Sequence, residues 1–155
     1  MSTTEMSYTL SAIEGASPIG LMVVLFDTLA GDLRRAVAAL NKNDIETRCK
    51  ELNHALLVIG QLDSWVDLDK GGESARNLTG FYAYLRAKMM EAEVCKSAKR
   101  LEVPIQMILQ VSAAWQKLDV ASQQGAEKAV ANAVTTSTAA GSGNKQERIP
   151  VSQSR

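Results

Sequence analysis

The chain has 155 residues, with 17 Lys+Arg balanced by 17 Asp+Glu and 46% hydrophobic residues, enough for one domain with a self-sufficient core and a tail. The formal net charge of zero excludes the basic footprint that nucleic-acid binding requires. The polar start Met1–Tyr8 lacks the order of a signal peptide, and the longest apolar run, Leu21–Phe26, is too short to cross a bilayer; with both cysteines set in helical patterns, the expected compartment is the cytoplasm, without membrane insertion.

Residues 1–16 read as an N-terminal arm whose apolar side chains are Tyr8, Leu10 and Ile13. The first helix starts at Ser17-Pro18, since Ser caps a helix well and Pro is preorganised for the first helical position. Its stripe is Met22, Leu25, Leu29, Leu33, Ala36 and Leu40. Asn41-Lys42-Asn43-Asp44 is a turn, with Asn43 or Asp44 as the next cap. The second helix repeats the stripe through Ile45, Cys49, Leu52, Leu56, Ile59, Leu62 and Val66, and Gly71-Gly72 breaks it. The third, from about Glu73 to Lys96, presents Ala75, Leu78, Tyr82, Leu85, Met89 and Ala92. The fourth begins between Ala98 and Pro104 and carries Leu101, Ile105, Ile108, Val111, Trp115 and Leu118, with Leu85 and Trp115 assigned to the core. No alternating strand pattern of useful length appears. Four such helices with short links predict an all-α, antiparallel up-down four-helix bundle over 17–121. From 122 to 155 the chain turns Ala/Ser/Thr-rich and reads as a mostly disordered tail, with room for one short extra C-terminal helix over Ala126–Val134.

Chemistry is sparse. Glu51-Leu52-Asn53-His54 has the Glu-x-x-His spacing of carboxylate-bridged di-iron bundles, but these need the motif on two helices, and His54 is the single histidine. Cys49 and His54 are separated by about 140° around a helix, so they cannot grip one ion together; both cysteines read as small core or boundary residues. One histidine and no strand-turn-helix elbow also exclude a nucleophilic triad. Gly71-Gly72 lacks a phosphate-loop spacing, and Asp63, Asp67 and Asp69 do not match a calcium loop. No catalytic, metal-binding or cofactor-binding residue is expected, and no enzymatic activity.

Apolar surface is in surplus. Within Ile19–Ala30 only Gly20, Asp27 and Thr28 interrupt the apolar run, more than a bundle helix needs. Leu21, Val24 and Phe26 cannot all share the stripe of Met22, Leu25 and Leu29, and Leu57, Val58 and Trp65 lie partly outside that of the second helix. Two readings account for this: the helices are central and wrapped by their neighbours or by a second subunit, or the excess forms a groove for a partner segment. Met22, Met89, Met90 and Met107 suit an adaptable surface as well as a core.

Ordered short segments then resemble the FliS family of flagellar secretion chaperones. Tyr8, Ala16-Ser17-Pro18, Leu21 and Leu25-Phe26-Asp27 are similar to that family's N-terminal tyrosine, A-S-P helix start and L-Y-D/N element. Gly71-Gly72-Glu73-Ser74-Ala75-Arg76-Asn77-Leu78 with Tyr82, Tyr84 and Leu85 resembles its G-G-E-x-A-x-N-L…Y-x-Y segment, and Leu101-Glu102-Val103 with Ala114-Trp115 its closing L-x-E-V…A-W. Phe26 stands in place of the usual Tyr, Thr28 where Gly is common and Glu93 where Asn is common; Pro104 shifts the start of the fourth helix, and the tail is not accounted for. The resemblance implies a cytoplasmic chaperone that holds the disordered C-terminal segment of flagellin, prevents premature polymerisation and delivers it to a component of the flagellar export gate. The partner-binding residues expected are Tyr8, Leu10, Ile13, Leu21, Val24, Leu25, Phe26, Leu57, Val58 and Trp65. On that assignment Phe26→Asp abolishes binding while helical content survives. The free protein is expected to be a monomer or weak homodimer. The alternative is a self-associating helical-bundle structural module with no flagellin client.

Overall fold

Ser17 opens the first helix as its cap: its Oγ accepts a hydrogen bond from the Gly20 amide at 2.9 Å, and Pro18 follows at the first helical position. In this computed structural model, which describes residues 17–140 and their side chains through 136, four helices follow in order. They are α1 (Pro18–Asn41), α2 (Ile45–Ser64), α3 (Gly72–Cys95) and α4 (Glu102–Ala140), with a short 3₁₀ turn (Ala98–Leu101) before α4. Asp44 caps α2 by accepting from the Thr47 amide at 3.1 Å.

The α2–α3 link shows why two glycines stand together. A Cβ on Gly71 would lie 2.5 Å from the Ala75 Cβ and 2.7 Å from the Asp67 carbonyl oxygen, while Gly72 has a φ of +57°. One glycine permits a close approach and the other a left-handed backbone. Asp67 holds the loop by accepting from the Asp69 and Lys70 amides at 3.0 and 3.1 Å.

Side-chain pairs fix the directions. Asp32 and Arg35 of α1 meet His54 and Glu51 of α2. Arg48 and Asp63 of α2 meet Glu93 and Arg86 of α3. Ser17 and Asp27 at the start of α1 meet Asp119 and Ser112 of α4 at 2.5 and 2.6 Å. In each set, rising numbers on one helix meet falling numbers on the next, so the helices run up-down-up-down, an all-α antiparallel bundle.

The core is centred on Phe26, Leu29 and Leu33 of α1, Ile59 and Leu62 of α2, Tyr82 and Leu85 of α3, and Leu101 and Ile108 ahead of and within α4. Every residue expected on the α3 stripe packs inward, Leu78 only in part. Trp115 is half-buried against the core. Tyr82 is enclosed, its ring 6.4 Å from that of Phe26, and its hydroxyl has no hydrogen-bond partner among the described residues. Burial, aided by the nearby Asp63 charge, pushes its pKa up to about 12. A buried hydroxyl without a partner carries its full desolvation cost. Tyr82→Phe should therefore raise unfolding free energy by about 1 kcal/mol, checked by urea denaturation; a loss of that size would mean the hydroxyl is paired.

Two expectations change. Cys49 and Cys95 are both exposed, Cys49 at the edge of the α2 stripe and Cys95 at the last position of α3. Past Ser122 the expected separate short helix is replaced by further turns of α4, which continues to Ala140. A first compact unit closes at Asp119 and a second begins at Val120; in the second, all described side chains, 120–136, are exposed.

Asp32 is fully buried. Its Oδ1 accepts from Arg35 at 2.6 Å, and its Oδ2 lies 2.6 Å from His54 Nδ1. Burial raises its pKa, outweighing the opposing pull of His54 and Arg35. The folded state thus binds this proton more tightly than the unfolded chain, so stability is gained on the acid side and lost as pH rises through the raised pKa. In urea denaturation between about pH 4 and pH 7, the wild type should lose stability with rising pH relative to Asp32→Asn. A difference that stays constant or grows with pH would count against this assignment.

Candidate protein-binding surface

Two apolar openings break the bundle surface. The first, about 350 Å³, lies between α2 and α3, with Cys49, Leu52 and Leu56 on one wall and Met89 and Met90 on the other. Leu52 and Met89 are buried and form its floor, whereas Leu56 is 42% and Met90 67% exposed. Its charged rim is tied back: Arg86 bonds Asp63 at 3.1 Å, and Arg48 Nε lies 2.9 Å from Glu93. Water therefore meets mostly carbon and sulfur inside it, surface that gains free energy when a partner covers it.

The second opening, about 380 Å³, lies where the α2–α3 link meets the start of α1. Met22, Leu62, Trp65, Val66, Leu78 and Trp115 line it, and Asp67 and Lys70 stand on its polar side. Trp65 is 45% exposed. The tight turn at Gly71 brings Ser74 and Ala75 to the same opening.

The expected partner-binding residues separate under this geometry. Trp65 lines the second opening. Leu57 is 72% exposed on the outer side of α2. Leu21, Val24 and Leu25 are half-buried, and Leu25 packs against the core. Phe26 and Val58 are corrections: both belong to the buried core, Phe26 beside Tyr82, and neither offers surface. The cause is helix geometry: Phe26, Leu29, Leu33, Ala36 and Leu40 follow alternating steps of three and four, so Phe26 shares the buried face with them, and Val23 and Ala30 lie on its edge. Tyr8, Leu10 and Ile13 lie outside the described residues. Leu56, expected in the core, instead lines the first opening; Met22, Met89 and Met90, which also line the openings, come from the methionine set that the sequence singles out, and Leu62, Val66, Leu78 and Trp115 were read only as stripe residues.

Among the described residues, no group of three or more His, Cys, Asp or Glu is placed to hold a metal ion. No helix among them is long and apolar enough to cross a membrane.

Residues 1–124 match the protein family described as "Flagellar protein FliS". The chain belongs to the FliS family. This FliS-family chain is 30% identical over 109 residues to the flagellar secretion chaperone FliS of Salmonella typhimurium (strain LT2), covering 70% of this chain and 81% of that protein. It is 27% identical over 103 residues to the flagellar secretion chaperone FliSB of Pseudomonas aeruginosa (66% and 82% covered). It is also 26% identical over 111 residues to the flagellar secretion chaperone FliS of Vibrio cholerae serotype O1 (70% and 79% covered). The family match takes in both openings and stops inside α4.

Proposed function

We propose that this FliS-family protein is a cytoplasmic flagellar export chaperone that binds the disordered C-terminal segment of flagellin. It holds the segment back from premature polymerisation and passes it to a component of the export gate. The observation that carries this reading is the pair of apolar openings on a bundle whose relatives are named flagellar secretion chaperones. A segment disordered when free must order on binding, and the entropy lost offsets part of the contact energy. Affinity is thereby kept low enough for release. Binding and release need no covalent step, so the chaperone role calls for no catalytic residue and no cofactor.

Three sets of side chains contribute. Trp65, with Met22 and Trp115, receives one apolar anchor of the client. The wall formed by Leu56 and Met90 receives a second. The arm residues Tyr8, Leu10 and Ile13 contribute further apolar contacts to the client. Leu21, Val24 and Leu25, on the half-buried side of α1, and Leu57, on the outer face of α2, extend the contact.

Titration with a peptide of about the last forty residues of the host's flagellin tests the reading. Binding should saturate at one peptide per chain, with the negative heat-capacity change that accompanies apolar burial. Deleting residues 1–14 should change the affinity. No binding would overturn the client assignment, and unchanged affinity after the deletion would overturn the role of the arm.

A further inference from the structure

The chain has two tryptophans, and both line the second of the two openings. Trp65 caps the end of α2 and Trp115 belongs to α4, so the indoles reach the opening from different helices. Trp65 is 45% exposed and Trp115 half-buried. Among the described residues neither indole touches another aromatic ring, and neither has a cation over its face. Met22 and Leu78 add an aliphatic lining. Aliphatic walls alone would suit any apolar guest. Two indoles add the negative potential of their faces, which attracts a cation.

One carboxylate stands at the same opening. Asp67 accepts the Asp69 and Lys70 amides through Oδ1, at 3.0 and 3.1 Å, and Oδ2 takes no hydrogen bond or ion pair among the described residues. The loop therefore fixes the carboxylate in place while leaving acceptor capacity for a further donor. Lys70, exposed on the polar side, pairs its ammonium with neither Asp67 nor an indole among the described contacts. A long cationic side chain matches these features together. Its methylene stem covers Met22 and Leu78 as the apolar anchor, and its charged head lies on the indole faces and donates to Asp67 Oδ2. An anionic guest would meet Asp67 with like charge, and a purely aliphatic one would cover Oδ2 without pairing it.

We propose that the second opening is a receptor for a cationic side chain, with Trp65 and Trp115 supplying the aromatic faces and Asp67 the counter-charge. The source of that side chain rests on the client reading above: it is an arginine or lysine of the bound flagellin segment. Arginine suits the site better, because its planar guanidinium stacks on an indole and still donates at its edge. Lys70 is a like charge at the rim and weakens the hold on such a guest.

The site can be read without the client. Since both tryptophans belong to it, the two indole N–H signals in a proton–nitrogen correlation NMR spectrum of the full chain report on this opening. Titration with N-acetyl-arginine amide should shift both signals toward saturation at millimolar concentration. N-acetyl-methionine amide and N-acetyl-glutamate amide should move them far less. Asp67→Asn keeps an acceptor for the loop amides, so it should weaken the arginine probe at least about threefold without lowering the thermal midpoint. Lys70→Gln should strengthen binding of the same probe. In the flagellin peptide, methionine in place of the engaged arginine or lysine should lower affinity about fivefold against the wild type and leave it unchanged against Trp65→Leu. Indole signals that stay still with the arginine probe, move as much with the methionine probe, or move with the glutamate probe would overturn the proposal, whether or not the flagellin peptide binds. So would weaker arginine binding in Lys70→Gln, or a peptide indifferent to every such replacement. A chain that takes the arginine probe and not the peptide would keep the cationic site and lose only its client.

Discussion

Phe26→Asp should leave a chain that no longer folds cooperatively. Phe26 is enclosed by the core, its ring near that of Tyr82. Removing such a ring costs about 3–5 kcal/mol, and a buried carboxylate without a partner costs several more. A domain of this size has only about 5–15 kcal/mol of total stability. Far-UV circular dichroism and urea denaturation should show the loss, while Phe26→Leu should fold with a penalty of about 1–2 kcal/mol. A Phe26→Asp protein that keeps its helical content and merely fails to bind flagellin would return Phe26 to the surface and overturn its placement in the core.

Leu56→Asp should do the reverse. Leu56 lines the α2–α3 opening with 42% of its surface exposed, so a carboxylate there remains hydrated and stability should move by no more than about 0.5 kcal/mol. If a client side chain fills that opening, it must now cover a charge, and affinity for the flagellin peptide should fall at least tenfold, about 1.4 kcal/mol or more. Calorimetric titration beside a thermal melt separates the two quantities. Undiminished affinity would place the client elsewhere, and a lowered melt would make Leu56 part of the core.

These two residues mark how far the sequence could be read. The helices are legible because caps and breakers act locally: Ser17, Pro18, Asp44 and the Gly71-Gly72 pair each do their work within a few residues. The α3 stripe is legible for the same reason, since a helix with one buried face repeats its apolar residues at a single period. On α1 the period blurs, because the half-buried Leu21, Met22, Val24 and Leu25 are as apolar as the buried face of Phe26, Leu29 and Leu33. Periodicity there cannot tell the enclosed Phe26 from the half-buried Leu25. On α2 the opposite error arises: Cys49 and Leu56 keep the period of the stripe, yet no side chain of α3 fills the space beside them. The Asp32–His54 pair has no local signature at all, since it depends on the register between α1 and α2. The turns of α4 past Ser122 run through a stretch dense in alanine, whose helix propensity outweighs the Ser, Thr and Gly residues that suggest a tail.

The hydrogen bonds that close the bundle also set an order for its assembly. The α1–α2 pairs join residues 16 and 22 positions apart, so that hairpin is available as soon as its two helices have left the ribosome. The bonds from Ser112 to Asp27 and from Ser17 to Asp119 span 85 and 102 positions. Forming them closes long loops at greater entropic cost, and contacts of such separation slow folding. Until residue 119 is synthesised the opening of α1 lacks the stretch of α4 it bonds to, so the α1–α2 hairpin has to wait for that residue before the bundle can close.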